Sequence, residues 1–195
     1  MFEVEVKIAI DSADSIEKKL TEQNFIKSMT VKETDTYFNG VDRDFRQSDE
    51  ALRLRNTINN YDEADPENVS WHKDNVITTM TYKGHKLDNV SMSRKEIETE
   101  IDDYEKMFDI LTALGYKPVI PVVKVRKYFH DGYITACVDR VQGLGDFLEL
   151  EIITESEEKR KWALGKIENQ LLRLGLSMAD TTTTSYLSML EKMQE

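Results

Sequence analysis

The sequence predicts a mainly β domain with flanking helices, an α+β chain whose antiparallel sheet closes on itself around a charged interior. Three observations carry this reading. Short segments alternate apolar and charged residues with a period of two, which gives a strand two unlike faces. The charged parity consists of paired long Glu, Arg and Lys side chains, where an ordinary solvated face would mix Thr, Ser, Gln and Lys. A pattern of glutamate-x-glutamate strand, helix and cap occurs three times, and its first two copies are each followed by strands with paired basic residues. That repetition suggests two pseudo-two-fold halves within one domain, residues 1–195.

The opening strand is "EVEVK", with Glu3, Glu5 and Lys7 on one parity and Val4, Val6 and Ile8 on the other. Asp11 or Ser12 then caps a helix that carries Ile16 and Leu20 on one face and stops near Asn24. "TVKETDTYFN" (30–39) and "ALRLRN" (51–56) read as strands, and the Pro-interrupted polar stretch 57–75 as a surface loop or long hairpin end. "VITTMTYKG" (76–84) resumes the sheet.

From residue 94 the pattern starts again. "RKEIETEI" is an alternating strand, followed by a helix with Tyr104, Met107, Phe108, Leu111 and Leu114 at helical spacing and Gly115 in the capping place. "VVKVRKYF" and "YITACVDRV" are joined through His130-Asp131-Gly132, a tight-hairpin signal. "FLELEIIT" opens the third copy, in which Thr154 or Ser156 is expected to cap a helix with Leu164, Ile167, Leu171 and Leu174, closing at Gly175.

A closed sheet with its charged parity inward makes a polar tunnel, apolar parity outward beneath the helices. Glutamates at i and i+2 lie roughly 6.6 Å apart on a strand. At an effective dielectric near 20 they repel by about 2.5 kcal/mol. Three such pairs in one cavity call for cations, supplied in part by Arg and Lys neighbours and in part by divalent metal. Carboxylates without His or Cys partners favour Mg²⁺ or Mn²⁺ over zinc. The surplus arginines and lysines then match a polyphosphate.

Composition limits the alternatives. The chain has 195 residues and a formal charge of −11, which argues against broad binding to nucleic acid but not against a small anion held in its own basic site. Neither a run of about 18 apolar residues nor a secretory leader is visible, so no membrane partner is expected. The single cysteine, Cys137, excludes an intrachain disulfide and suits a reducing cytoplasm.

These residues resemble the CYTH superfamily, the triphosphate tunnel metalloenzymes, whose signature Glu-x-Glu-x-Lys appears here as "EVEVK". "LRLR", "TYKG", "SRKEIE", "LGYKPV", "KVRKYF", "VDRVQGLGDFLELE" and "SYLSML" follow in the order this family shows, and the run from "LGYKP" through "GLGDF" is most similar to the class IV adenylyl cyclase branch. The resemblance implies a closed eight-stranded antiparallel tunnel, Mg²⁺ or Mn²⁺, and a triphosphate substrate: ATP, inorganic triphosphate or thiamine triphosphate. It is compatible with a homodimer. Carried over by motif, Glu3, Glu5, Glu149 and Glu151 would hold metal. A second acidic set, registered as Glu96 and Glu98 or as Glu98 and Glu100, would join them in holding metal, together with Asp139. Lys7, Arg53, Arg55, Lys83, Lys124 and Arg126 would grip phosphates, with Arg94 beside them. Lys7, Arg55, Lys83, Arg126 and Asp139 are the expected catalytic positions.

The implied chemistry is cyclisation of ATP to cyclic AMP and pyrophosphate. The alternatives are an inorganic, nucleoside or thiamine triphosphatase and a non-catalytic polyphosphate or nucleotide sensor. His72, His85 and His130 lack metal-ligand spacing, and "GLGDF" lacks the lysine and helix of a phosphate loop and reads as a turn.

Overall fold

The computed structural model describes residues 2–66, 75–86 and 94–194. In chain order these form β1 (Phe2–Ile10), α1 (Ala13–Glu22), β2 (Ile26–Asn39), β3 (Ala51–Asn59), β4 (Val76–Lys86), β5 (Arg94–Ile101) and α2 (Tyr104–Ala113). The two-residue β6 (Lys117–Pro118), β7 (Val122–His130), β8 (Thr135–Val141) and β9 (Gly145–Thr154) follow. The chain continues through α3 (Arg160–Leu174), a short β10 (Thr181–Thr182) and α4 (Tyr186–Lys192). His72 lies outside the described residues.

Two compact units divide the chain, one drawn from residues 1–29 and 126–185, the other from 30–86, 94–125 and 186–195. In the first, β1 pairs antiparallel with β9 over its whole length, from Phe2 opposite Thr154 to Ile10 opposite Asp146, and β9 pairs with β8. Val4, Val6, Ile8, Leu148, Leu150, Ile152, Ala136 and Val138 share one buried face, covered by Ile16 and Leu20 of α1 and Ile167, Leu171 and Leu174 of α3. Ser12 caps α1 by accepting from the Ser15 amide, and Asp146 Oδ2 accepts from Ala13 N at 2.7 Å, which pins the helix start to β9.

The α3 helix starts later than expected. A 3₁₀ turn at Glu157–Lys159 precedes it, and its N-cap is Lys159 with no side-chain cap bond, so neither Thr154 nor Ser156 caps it. Its far end is the expected one, with Gly175 at φ 80°. Residues 131–134 link β7 to β8, with Asp131 accepting from the amides of Tyr133 and Ile134 and Gly132 at φ 94°.

The second unit contains the antiparallel meander β2–β3–β4–β5, with β6 on β2. Phe38, Phe45, Leu52, Leu54 and Leu111 form its core, with Met80, Tyr104, Met107 and Phe108 packed against them. Phe38 and Phe108 lie 5.6 Å apart between ring centres. Leu114 stands outside this core at 64% exposure, although it falls on the predicted apolar spacing.

The helices do cover the apolar parity, but the sheet does not close. Its strand order is the open path β10-β1-β9-β8-β7-β2-β3-β4-β5, and among the described residues no ladder joins its ends. Closure needs two free edges to meet. Here the outer edge of β1 is taken at Lys7 and Ile8 by β10. At the other end β5 terminates the path with residues 95–100 exposed, including Lys95, Glu96, Glu98 and Glu100, charges that discourage edge pairing. The closed eight-stranded barrel is therefore replaced, among the described residues, by an open antiparallel sheet, eight of whose ten strands have seven residues or more.

Candidate active site

Each unit carries a cluster of charged side chains on the sheet face opposite its helix-covered face. In the second unit, Asp35, Arg55, Thr79 and Glu100 form one cross-strand row, and Tyr37, Arg53, Thr81 and Glu98 form the next. Arg55 donates to Asp35 through Nε at 2.6 Å and Nη2 at 2.8 Å, and to Glu33 through Nη1 at 2.9 Å. Glu33 also meets Lys124 Nζ at 3.0 Å, and that ammonium lies 5.4 Å from the ring centre of Tyr186. Arg53 donates to Thr81 Oγ1 at 3.0 Å and to Glu98 at 3.4 Å.

Glu33 and Asp35 are each 2% exposed. Burial by itself would raise the Asp35 pKa, but Arg55, then Arg53 and Lys124, more than reverse it and hold the carboxyl below the ordinary carboxylate range. The Arg55 guanidinium shows the reciprocal effect: burial opposes its charge, while Asp35 and Glu33 push its pKa up.

In the first unit, Lys7 stands opposite Glu149 across the β1–β9 ladder, with their charges 3.2 Å apart. Arg126 grips Asp139 through Nε at 2.6 Å and Nη2 at 2.5 Å and also reaches Glu149. Asp139 is fully buried, and this bidentate contact satisfies its charge there. Burial opposes the Arg126 charge, but Asp139 and Glu149 raise its pKa well above the usual value. Cys137 is buried opposite Glu149, and burial pushes its thiol up. Glu5 lies directly opposite Glu151 on the same face as Lys7 and Glu149.

The remaining predicted positions are more dispersed. Lys83 pairs with Glu96 at 2.6 Å, and Glu98 accepts from Thr81 and Arg53, so two members of the β5 acidic set contact charged or hydroxyl partners. Glu100 shares their parity opposite Thr79. Glu3 and Arg94 lie on β1 and β5, and the description of both stops at the backbone. His130 bonds the hydroxyls of Thr135 and Ser28 at 3.1 Å each, which accounts for it without a metal.

Sequence reasoning passed over Glu33 and Asp35. Their spacing of two was visible in "KETDTYF", and the register places that parity directly against Arg55 of "LRLR". Among the described residues no three His, Cys, Asp or Glu side chains are gathered as a metal cluster. The Glu5–Glu151 pair is nonetheless an all-oxygen, doubly anionic donor set, the kind that suits a hard divalent cation completing its shell with water or phosphate oxygens.

The sequence profile of the CYTH domain matches residues 1–186. The chain belongs to the CYTH family. A Methanocaldococcus jannaschii protein, provisionally named an adenylate cyclase, is 38% identical over 190 residues, 97% of this chain and 98% of its own. The structure of protein PH1819 from Pyrococcus horikoshii superposes with a TM-score of 0.83 at 34% identity, covering 98% of this chain and 99% of that one. A Hippeastrum protein, provisionally called an adenylyl cyclase and described as having a dominant triphosphatase activity, shares the fold at a TM-score of 0.66. It is 17% identical and covers 98% of this chain and 95% of that one, a likeness of fold alone. No helix among the described residues of this CYTH chain is long and apolar enough to cross a membrane.

Proposed function

We propose that this CYTH protein is a divalent-metal-dependent enzyme acting on the triphosphate of ATP, cyclising it to cyclic AMP and pyrophosphate. The observation that carries the reading is the burial of Lys7, Arg53, Lys124 and Arg126, with Arg55 nearly so, on the charged sheet faces. A solvated face gains nothing from burying cations at a desolvation cost of several kcal/mol each. A polyphosphate site does, because shielded charge-assisted contacts to phosphate are strong.

In the proposed reaction Arg53, Arg55 and Lys124 bind and orient phosphate oxygens and neutralise the charge that builds on the leaving pyrophosphate. Lys7 and Arg126 are the buried cations of the first unit's own cluster and suit the same kind of contact. Glu5 and Glu151, with Glu149 and Glu3 from the same pair of strands, would hold Mg²⁺ or Mn²⁺. When bound, that ion supplies charge neutralisation and lowers the pKa of a coordinated hydroxyl. The ribose 3′-oxygen bonds to the α-phosphorus as the α–β bridging bond breaks, the hydroxyl proton passes to solvent water, and pyrophosphate leaves. The name of the Methanocaldococcus relative supports this reaction.

A triphosphatase uses the same cations, with water attacking the γ-phosphorus, and the activity described for the Hippeastrum protein keeps that second reading in view. One experiment separates them. The pure protein is incubated with ATP, inorganic triphosphate and thiamine triphosphate, with and without Mg²⁺ or Mn²⁺, and every product is identified. Cyclic AMP and pyrophosphate are expected from ATP. ADP and orthophosphate, or far faster turnover of inorganic triphosphate, replace the cyclase with a triphosphatase. Tight binding without turnover of any of them makes the chain a sensor.

A further inference from the structure

We infer that Glu33 and Asp35 are positioning residues, two buried carboxylates on β2 that hold Arg55 and Lys124 in the geometry that receives phosphate. The inference rests on the triphosphate reading above and extends it to residues that would not themselves touch the ligand.

Three of the five N–H groups of the Arg55 guanidinium are committed, Nε and one from Nη2 to Asp35 and one from Nη1 to Glu33. Counting bonds to the described residues, that leaves one N–H on each terminal nitrogen to donate to phosphate oxygens. Glu33 bridges, with Oε1 accepting from Arg55 at 2.9 Å and Oε2 lying 3.0 Å from Lys124 Nζ. One carboxylate thereby sets the separation of two cations. The Lys124 ammonium also lies 5.4 Å from the ring centre of Tyr186, a cation–π contact that helps to place it before any ligand arrives.

The charges of Glu33 and Asp35 oppose anion binding. A site shaped by electrostatic attraction alone would omit both. In this reading their gain for binding is preorganisation, which holds donors in place at the expense of net potential. This gives an experiment with an informative sign. Removing either carboxylate adds one positive charge to the cluster, so a purely electrostatic or purely fold-stabilising role predicts unchanged or tighter anion binding, while a positioning role predicts weaker binding.

The test is calorimetric titration of inorganic triphosphate into wild type, Asp35→Asn and Glu33→Gln, once in chelator and once in Mg²⁺, with circular dichroism to verify folding. The expected result is triphosphate affinity lowered about tenfold in each folded variant, a loss typical of misoriented charge-assisted contacts. Affinity equal to or above wild type in either folded variant overturns the inference. If Asp35→Asn does not fold, Glu33→Gln decides, because it keeps the bidentate Asp35–Arg55 contact. Wild type that binds triphosphate in neither buffer removes the triphosphate reading itself, an outcome distinct from failure of the positioning role.

Discussion

Glu5 and Glu151 face each other directly across the β1–β9 ladder. Like charges so placed destabilise an antiparallel pair by roughly 0.2–1 kcal/mol. Glu5→Gln relieves that repulsion while weakening a proposed metal ligand. We expect the metal-free melting temperature to rise by about 1–3 °C for a chain of this size. The stabilisation that Mg²⁺ gives wild type should disappear with the substitution. Thermal melts of both proteins with and without Mg²⁺ check this, and an undiminished Mg²⁺ shift in Glu5→Gln removes Glu5 from the metal site.

Arg126→Ala leaves Asp139 fully buried without its bidentate partner. Breaking a buried pair from one side costs about 3–5 kcal/mol. Urea unfolding should show that loss, and the double variant Arg126→Met with Asp139→Leu should recover most of it. A loss below about 1 kcal/mol would place this contact with ordinary surface ion pairs.

Asp35 makes stability depend on acid in a defined direction. Its folded pKa lies below the ordinary value of 3.8, so its contribution is fully present above that value and is lost as the pH falls through the lower, folded one. The stability gap between wild type and Asp35→Asn should be constant above about pH 5 and shrink as the pH falls below the ordinary carboxylate range. Denaturant titrations at several pH values measure it, and a gap that widens in acid would mean that Asp35 is not stabilised as a carboxylate.

Burial pushes the Cys137 thiol up, so the folded protein holds little thiolate at that position. Iodoacetamide at mildly alkaline pH should leave Cys137 unmodified in the folded protein and alkylate it in urea, as read by intact mass. Rapid labelling of the folded chain would show that the sheet face around Glu149 opens readily.

Much of this architecture was legible because strands report their faces with a period of two. Lys7, Arg53, Arg55, Lys124 and Arg126 could be placed on one parity and Val4, Leu54 and Leu150 on the other without knowing which strands adjoin. Partners were harder to read. Glu33 and Asp35 are separated by Thr34 and followed by Thr36, and they look like an ordinary polar face until Arg55 is brought opposite Asp35 by a pairing 20 residues distant. Closure was the largest overreach, since alternation says which way side chains point but not whether two edges meet. The β10 strand that occupies the edge of β1 is only Thr181–Thr182, too short to announce itself. The start of α3 failed for a local reason: Thr154 belongs to β9, and its hydroxyl donates to the Ser156 carbonyl instead of capping a helix.

The pairing of β1 also bears on how the protein is made. Its ladder partners are β9, at 145–154, and β10, at 181–182, so β1 has no strand to join until β9, more than 130 residues later, has been synthesised. At about 5–20 residues per second that wait lasts roughly 7–30 s. The β2–β3–β4–β5 meander pairs neighbours in sequence and is complete as soon as Ile101 emerges. During the interval Val4, Val6 and Ile8 belong to an apolar segment of the nascent polypeptide whose strand partners are not yet made, the kind of segment that chaperones bind and that aggregates when they are scarce. Pulse-labelled synthesis should therefore show protease resistance arriving first in the meander and last in the segment that bears Glu5 and Lys7.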